Sequence, residues 1–281
     1  MRRRKKFIRL FIKYIILSFV SFFTLLPLIW MVTTSLEPDK GLESYSLIPR
    51  EVTFRNYIEA WNYPRLYDEH VTLGTMFMNS IIVSSVITVL SLLFDSMAGY
   101  ALARKKFPGR EVLFWLALST LMVPFYVVVI PMYIITMKLG LINTLTGLIV
   151  PFVSSGFGVF LFRQTFLSIP LELEEAARID GAGDFFIYWK VMLPLVKPTI
   201  ATMAIFKVLW SWNMFFWPLL IIQDYSKMPI NLGLTIFRGQ HVTHWGLLTA
   251  GMVIATLPII VLFLTLQKWF IRGLTAGALK G

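Results

Sequence analysis

Long apolar runs separated by polar segments dominate the chain, and each run is long enough to cross a membrane as a helix. A helix needs about 20 apolar residues to cross the hydrocarbon core of a bilayer. Prolines inside five of the runs do not exclude this, because neighbouring helices can satisfy the freed carbonyls. In the fourth run, Pro151, Gly156 and Gly158 are expected to bend the helix or to allow close packing. The pattern therefore predicts an all-α membrane protein with six transmembrane helices, at residues 14–36, 75–103, 112–137, 143–167, 199–222 and 247–270.

The polar segments set the expected organisation. A basic N-terminus (1–13) precedes the first span, and a long polar segment (37–74) with room for short surface helices follows it. A basic start before an apolar run is also typical of a signal peptide, but this run is too long and lacks a small-residue cleavage site. We therefore expect an uncleaved first span, a five-helix core at 75–270 that includes a polar loop at 168–198, and a tail at 271–281.

The placement of lysine and arginine predicts the orientation. Of the 26 basic residues, 18 lie in the two termini, the segment 104–110 and the loop 168–198 with its flank. Seven lie in the segments of the other side, and Lys207 lies inside the fifth run. Because basic residues accumulate on the cytoplasmic side, both termini and the loop 168–198 are expected in the cytoplasm.

Composition excludes several functions. The chain is 57% hydrophobic and contains no cysteine, which excludes disulfides, thiolate catalysis and thiolate metal sites. The sequence has no run of lysines interleaved with aromatic residues, so it gives no indication of nucleic-acid binding. The glycine-rich tail lacks the spacing of a phosphate-binding Gly-x-x-x-x-Gly-Lys-Ser/Thr loop, so we expect no ATP hydrolysis by this chain. His241 and His244 have no third ligand nearby, which favours a solvated or docking loop over a metal site.

The loop 168–198 predicts a short helix, a sharp bend and a second short helix. Acidic residues in the first turn suit the helix dipole. Gly181 and Gly183 are expected to end the first helix, because glycine readily takes the left-handed conformation. Asp184 is expected to cap the second helix, which runs to Leu193.

Side-chain spacing on the first helix leaves two interpretations open. Glu174 stands four residues before Arg178, the favoured order for a pair within one helix, whereas Glu175 can reach a basic group on another chain. The helix is either an amphipathic surface helix or a docking surface. One face has little side-chain bulk and carries Leu173, Ala176, Ala177 and Asp180.

The spacing of this loop resembles that of inner-membrane permease subunits of binding-protein-dependent ABC importers. The resemblance rests on Glu175-Ala176-Ala177, Gly181 four residues later and Leu193-Pro194 after a fixed gap, with Val191 where isoleucine is usual. In that family the loop is the coupling helix, which sits in a cleft of the ATPase subunit. The resemblance implies that the ATPase-docking residues are Glu175, Ala176, Ala177 and Gly181, with Glu174 and Asp180 of the same helix completing the candidate set.

Three further stretches resemble the carbohydrate-uptake branch of that family, near the smaller maltose-type permease subunit. They are residues 98–109, 212–219 and 273–281. The resemblance implies a type I (MetI-like) permease fold in a bacterial or archaeal inner membrane, with no catalytic residue, metal or cofactor in this chain. It also implies a second permease subunit forming a heterodimer, two ATP-binding subunits that hold ATP and Mg²⁺, and an external solute-binding protein.

Two ionisable residues lie inside predicted spans. Asp95 and Lys207 are each eight residues from the cytoplasmic end of a span, which is roughly 12 Å deep at 1.5 Å rise per residue. Intramembrane charges are costly and are usually paired or functional. We expect an ion pair, a contact of each with a polar group of the partner permease, or snorkelling of each to its nearest interface.

The aromatic fifth span contains a candidate substrate pathway. Trp210, Asn213 and Trp217 fall at i, i+3 and i+7 and form one predicted stripe. Sugars present C–H faces to flat rings and hydroxyls to amides, so this stripe suits a carbohydrate path. The alternatives are an interfacial tryptophan at position 217 and a gate that seals the path without holding sugar.

The sequence thus favours the translocation subunit of an ATP-driven sugar importer. Within that class, a polyol, a glycerol phosphate diester or an acidic oligosaccharide are alternative substrates. A secondary transporter is disfavoured because its intramembrane acids near midspan and its inverted repeats are not evident. A membrane-embedded enzyme is disfavoured because no cluster of histidine and acidic residues lies inside the spans.

Overall fold

The computed structural model describes residues 2–38, 48–238 and 243–278, with backbone alone at 2–5, 8 and 266–278. The described parts are almost entirely helical, apart from one isolated antiparallel bridge between Arg238 and Thr243. The chain divides into two units, residues 1–74 with 234–257 and residues 75–233 with 258–281.

The first unit contains α1 (Arg2–Ser35), α2 (Arg55–Asn62) and the first part of α14 (Trp245–Ala278). Asn56 is buried and joins α2 to the end of α1, because its Nδ2 donates to the Ser35 carbonyl at 2.9 Å and the Glu37 carbonyl at 2.6 Å. The hydroxyls of Ser35 and Tyr57 lie 2.7 Å apart at the same junction. The two bonds of Asn56 satisfy carbonyls at and just after the end of α1 that have no partner within the helix.

The second unit contains the remaining helices. They are α3 (Leu73–Arg104), α4 (Arg110–Ser119), α5 (Phe125–Lys138), α6 (Leu145–Ile149), α7 (Gly156–Leu167), α8 (Glu172–Ile179), α9 (Asp184–Phe186), α10 (Leu193–Leu195), α11 (Lys197–Trp212), α12 (Phe216–Ile221) and α13 (Ile230–Gly233). A π-helical turn at Ile187–Met192 joins α9 to α10.

Three helical stretches are long and apolar enough to cross a membrane without a break: Arg9–Ser35, Leu73–Arg104 and Trp245–Thr265. Three further pairs are bent, Arg110–Met122 with Phe125–Lys138 by 108°, Leu145–Phe152 with Gly156–Leu167 by 44° and Asp184–Leu195 with Lys197–Trp212 by 79°. The described residues therefore provide three spans, or up to six if each bent pair forms one span.

The expectation of continuous third and fifth helices is wrong, whereas the bend expected in the fourth span from Pro151, Gly156 and Gly158 is present, at 44°. Val123 is extended at ψ 117° because the residue before a proline is disfavoured in the helical region, and Pro124 is the extended N-cap of α5. The fourth is interrupted at residues 153–155, where Ser155 caps α7 by accepting from the Gly158 N–H at 3.2 Å. The fifth is interrupted at residues 213–215, between α11 and α12.

One hydrophobic cluster positions the loop 168–198. It is formed by α3, α7, the π-helical turn and α11, through Tyr100, Phe162, Phe166, Ile187, Met192 and Met203. Gly99 allows α3 and α7 to approach closely, because a Cβ on Gly99 would lie 2.6 Å from the Phe162 Cβ. The partly buried Ala177 and Ala182 pack against this cluster, so one side of α8 rests on it.

Candidate functional site

Helix α8 ends in a Schellman motif centred on Gly181. Gly181 has φ +83°, and its N–H donates to the Arg178 carbonyl at 3.0 Å. The Ala182 N–H donates to the Ala177 carbonyl, also at 3.0 Å, which completes the motif. The sharp bend after the helix is therefore present, and it is set by Gly181.

Two local predictions beyond this bend are wrong. Gly183 has φ −73° and ψ 161°, so it is extended and precedes α9 instead of ending α8 in the left-handed region. Asp184 does not cap the second helix with its side chain. Its carboxylate lies 2.6 Å from Lys105 Nζ and 2.7 Å from Arg178 Nη2, because two nearby cations are stronger partners than a backbone N–H.

The outer face of α8 is exposed. Leu173, Glu175, Ala176 and Asp180 all lie on the surface, and Ile179 is 87% exposed. Ala177 is only half-buried and faces the cluster beneath. A helix that presents small and apolar side chains outward, while its other side is packed, has the shape of a docking surface.

Glu174 differs from its neighbours because it is 3% exposed and points into the protein. Its Oε1 accepts hydrogen bonds from the Tyr100 hydroxyl at 3.2 Å and from Arg178 Nη2 at 3.0 Å. Lys105 Nζ lies 3.6 Å from Oε1, and Arg104 Nε lies 4.0 Å from Oε2. The predicted pair with Arg178 is thus present, inside a larger network that ties α8 to the end of α3.

Arg178 connects the two acids of this network. Its Nη2 contacts both Glu174 and Asp184, and these contacts raise the pKa of the guanidinium, the hydrogen bond to Glu174 first and the charge of Asp184 second. Arg178 therefore stays charged at every physiological pH. The two acids and three cations of the network hold α8, α9 and α3 together.

Arg104 extends the same connection to α7. Its side chain is 7% exposed, and Nη2 donates to the carbonyls of Phe166, at 2.7 Å, and Ile169. These carbonyls lie at the end of α7, where a cation suits the helix dipole. The ends of α3 and α7 and the whole of α8 are therefore one connected body.

Sequence reasoning did not identify Tyr100, Arg104 and Lys105 as site residues. Their partners are 62 to 79 residues away in the chain, so no local periodicity links them. A signal was present, because Tyr100 and Arg104 lie in the stretch 98–104 that carries the family resemblance. For Lys105 the only signal in the sequence was its place among the basic residues of segment 104–110.

Asp95 and Lys207 do not form a direct ion pair within 4.0 Å. Asp95 is fully buried, and its carboxylate accepts from the Ser154 hydroxyl, the Ser155 N–H and hydroxyl and the Ser91 hydroxyl, at 2.7 to 3.0 Å. Lys207 is 7% exposed, and its Nζ donates to the Phe152 carbonyl at 3.5 Å. The two charged groups therefore contact residues at the break in the fourth span and do not contact each other.

The aromatic residues predicted for the substrate pathway line a cavity of about 640 Å³. Because the helix is interrupted after Trp212, Trp210, Asn213 and Trp217 do not form one helical stripe, although all three line the cavity. Rings supply most of the remaining wall, from Phe125, Tyr126, Phe152, Phe206, Phe215 and Phe216.

The three predicted residues have different surroundings. Trp210 is 47% exposed and its ring lies 4.8 Å from that of Phe152. Asn213 is exposed, and its Nδ2 donates to the Leu209 carbonyl at 2.8 Å. Trp217 is 1% exposed, and its Nε1 donates to the Gly147 carbonyl at 3.0 Å, so it fastens α12 to α6 and is not an interfacial tryptophan.

Of the two loop histidines, His241 lies outside the described residues. His244 donates its backbone N–H to the Phe237 carbonyl at 3.2 Å, and its ring lies 5.7 Å from that of Tyr63. Within the described ranges, no group of three or more histidine or acidic side chains is arranged to hold a metal ion.

Comparison with known proteins gives one family throughout. Residues 95–276 match the model of the binding-protein-dependent transport system inner membrane component. The chain is 39% identical to the arabinooligosaccharides transport system permease protein AraQ of Halalkalibacterium halodurans, over 94% of each chain. It is 33% identical to the sn-glycerol-3-phosphate transport system permease protein UgpE of Yersinia pestis, over 86% of this chain and 87% of that one.

A solved structure shares the fold over nearly the whole length. It is a bacterial ABC transporter involved in the import of the acidic polysaccharide alginate, with a TM-score of 0.81 and 26% identity. The match covers 95% of this chain and 98% of the other. The expected MetI-like permease fold is thereby confirmed.

Proposed function

Because this chain belongs to the family of binding-protein-dependent transport system inner membrane components, we propose that it is the permease subunit through which an ATP-driven importer moves a sugar or oligosaccharide. The observation that carries the proposal is α8, whose outer face is free while its inner face is tied to α3 and α7. Such a helix transmits a push from a partner to the spans.

The family and the topology support a set of partners for this chain. We propose that the chain pairs with a second permease, that two ATP-binding subunits bind ATP and Mg²⁺, and that an external solute-binding protein delivers the substrate. The distribution of basic residues supports a cytoplasmic position for both termini and for α8 in the inner membrane. The chain itself hydrolyses no ATP and binds no cofactor.

The docking surface is the exposed part of α8 and the bend after it. Glu175, Ala176, Asp180 and Gly181 contact the ATP-binding subunit, with Ala177 beneath them. Alanine allows the partner backbone to come close, and Glu175 offers a charge to a basic group of the partner. Glu174 belongs to the predicted set but acts from inside, where it fixes the helix to this chain.

The cavity is the proposed place where substrate passes. Flat rings such as that of Trp210 contact the C–H faces of a sugar, and the Asn213 amide oxygen accepts from a hydroxyl. Trp217 supports the cavity wall from a buried position. The names of the relatives, which include an arabino-oligosaccharide system and an alginate importer, support a carbohydrate.

A glycerol phosphate remains the alternative substrate class, because UgpE belongs to an sn-glycerol-3-phosphate system. The described wall of the cavity carries no charged side chain. An anionic substrate would be expected to meet a basic group, which favours the neutral sugar.

The test is substrate-dependent uptake into proteoliposomes that contain the full transporter. Neutral oligosaccharides, uronate oligosaccharides and glycerol 3-phosphate are supplied separately, each with the cognate binding protein. Uptake of a neutral oligosaccharide that requires ATP and is lost in Glu175→Gln supports the proposal. ATP-independent uptake, or uptake of glycerol phosphate alone, contradicts it.

A further inference from the structure

The fourth span is broken between two helical segments, and a buried charge of a neighbouring helix lies at each side of the break. The first segment is α6 with the turn Val150–Phe152, and the second is α7, which begins at Gly156. The axes differ by 44°. A broken helix exposes N–H groups at one end and carbonyls at the other, and these need partners inside a membrane.

Asp95 of α3 meets the positive end of α7. One carboxylate oxygen accepts from the Ser155 N–H at 2.9 Å and the Ser154 hydroxyl at 2.7 Å, and the other accepts from the Ser155 hydroxyl at 3.0 Å. Gly158 leaves room for this carboxylate, since a Cβ there would lie 2.0 Å from Oδ2. The start of an α-helix carries about half a positive charge, which a carboxylate stabilises.

Lys207 of α11 meets the opposite end of the first segment. Its ammonium lies 3.5 Å from the Phe152 carbonyl and 5.9 Å from the centre of the Trp210 ring. The end of a helix carries about half a negative charge, which an ammonium stabilises. The two charges therefore have the signs that the two helix ends require, and each faces the correct end.

We propose that Asp95 and Lys207 are positioning residues that hold the break of the fourth span at one angle. α7 has 12 residues and is about 18 Å long. Its far end is bound by Arg104, which also lies in the network that holds α8. A displacement of α8 is therefore transmitted through α7 to the break. The two charges keep the angle at the break fixed, so that the displacement continues into the rest of the span. This proposal rests on the coupling role proposed for α8.

The test uses the complete transporter in proteoliposomes and two readouts, ATP hydrolysed per sugar imported and the width of a label-to-label distance distribution. The chain has no cysteine, so Val150→Cys and Leu167→Cys place spin labels on exposed positions of the two segments. Lys207→Met removes the ammonium, and Lys207→Arg keeps a cation. Thr202→Val is the matched control, because it removes a buried hydroxyl of α11 that bonds only the Pro198 carbonyl of its own helix.

We expect Lys207→Met to raise the ATP hydrolysed per sugar at least about fivefold and to broaden the distance distribution, and Lys207→Arg to restore both. Thr202→Val leaves both unchanged. Should Lys207→Met fail to assemble, Asp95→Asn, which keeps the size of the side chain, is measured in the same two assays with the same expectation.

The proposal would be overturned if Lys207→Met gave the same ATP hydrolysed per sugar and the same width of the distance distribution as Thr202→Val. A loss in Lys207→Arg as large as in Lys207→Met would overturn it as well. Failure of the coupling role itself is distinguishable, because Glu175→Gln would then leave transport intact. A broadened distribution with an unchanged ratio would also overturn the proposal, because the charges would then fix the angle of the break without serving coupling.

Discussion

The connection between α8 and the rest of the chain predicts opposite outcomes for two adjacent acids. Glu174→Gln and Glu175→Gln make the same chemical change one residue apart, but Glu174 is buried in the network and Glu175 is exposed. Glutamine keeps the size and one acceptor oxygen of glutamate. We expect Glu174→Gln to loosen α8 within this chain, and Glu175→Gln to leave its stability unchanged.

The magnitude follows from the contacts of Glu174. Its carboxylate accepts hydrogen bonds from Tyr100 at 3.2 Å and Arg178 at 3.0 Å, with Lys105 at 3.6 Å. A hydrogen bond to a charged group contributes about 1.5–3 kcal/mol, and glutamine retains part of this. A net loss of about 2 kcal/mol corresponds to about 30-fold faster opening of α8.

The assay is amide hydrogen exchange of the assembled transporter, followed at peptides that cover α8. Exchange reports local opening directly. The exchange rate of α8 should rise about 30-fold in Glu174→Gln and stay within about twofold of the parent in Glu175→Gln. Equal exchange in the two variants would refute the reasoning, because the buried contacts would then contribute nothing to holding the helix.

Three further outcomes follow from the geometry. Gly181→Ala should destabilise the bend by about 1 kcal/mol, because alanine is strained at φ +83°, and the melting temperature of the complex reports it. Arg104→Ala should reduce ATP-driven uptake at least about tenfold while basal ATP hydrolysis continues, because it removes the connection between the end of α7 and the network of α8. Unchanged uptake would show that this connection is not used in transport. Asn213→Ala should raise the substrate concentration for half-maximal uptake about fivefold by removing one hydrogen-bonding group, and an unchanged value would remove Asn213 from the pathway.

Local features of the loop were predictable from the sequence. The Glu174–Arg178 pair depends on a spacing of four within one helix, and the bend depends on one glycine after the helix, so neither needs knowledge of distant residues. Hydropathy likewise located the apolar runs. These predictions share a cause, since each rests on interactions between residues close in the chain.

Features that depend on distant contacts were not predictable in the same way. Asp95 and Lys207 lie at similar expected depth, which suggested a pair, but their partners lie at the two sides of the break in the fourth span. A bend in that span was expected, but the sequence did not show that these two charges meet its ends. Asp184 suits a cap by its position, yet Lys105 and Arg178 are nearby only in the folded chain. The position of Trp217 near the end of a span suggested an interfacial tryptophan, but in the folded chain its Nε1 donates to the Gly147 carbonyl of α6.

The central claim is that the outer face of α8 contacts an ATP-binding subunit on the cytoplasmic side. The most direct measurement places a photo-activated cross-linker at Ala176 in the assembled transporter, and at the exposed Leu66 as a control. The account predicts that Ala176 cross-links to the ATP-binding subunit and that Leu66 does not. A cross-linker at Ala176 that reaches only lipid, or only the external binding protein, would contradict the account.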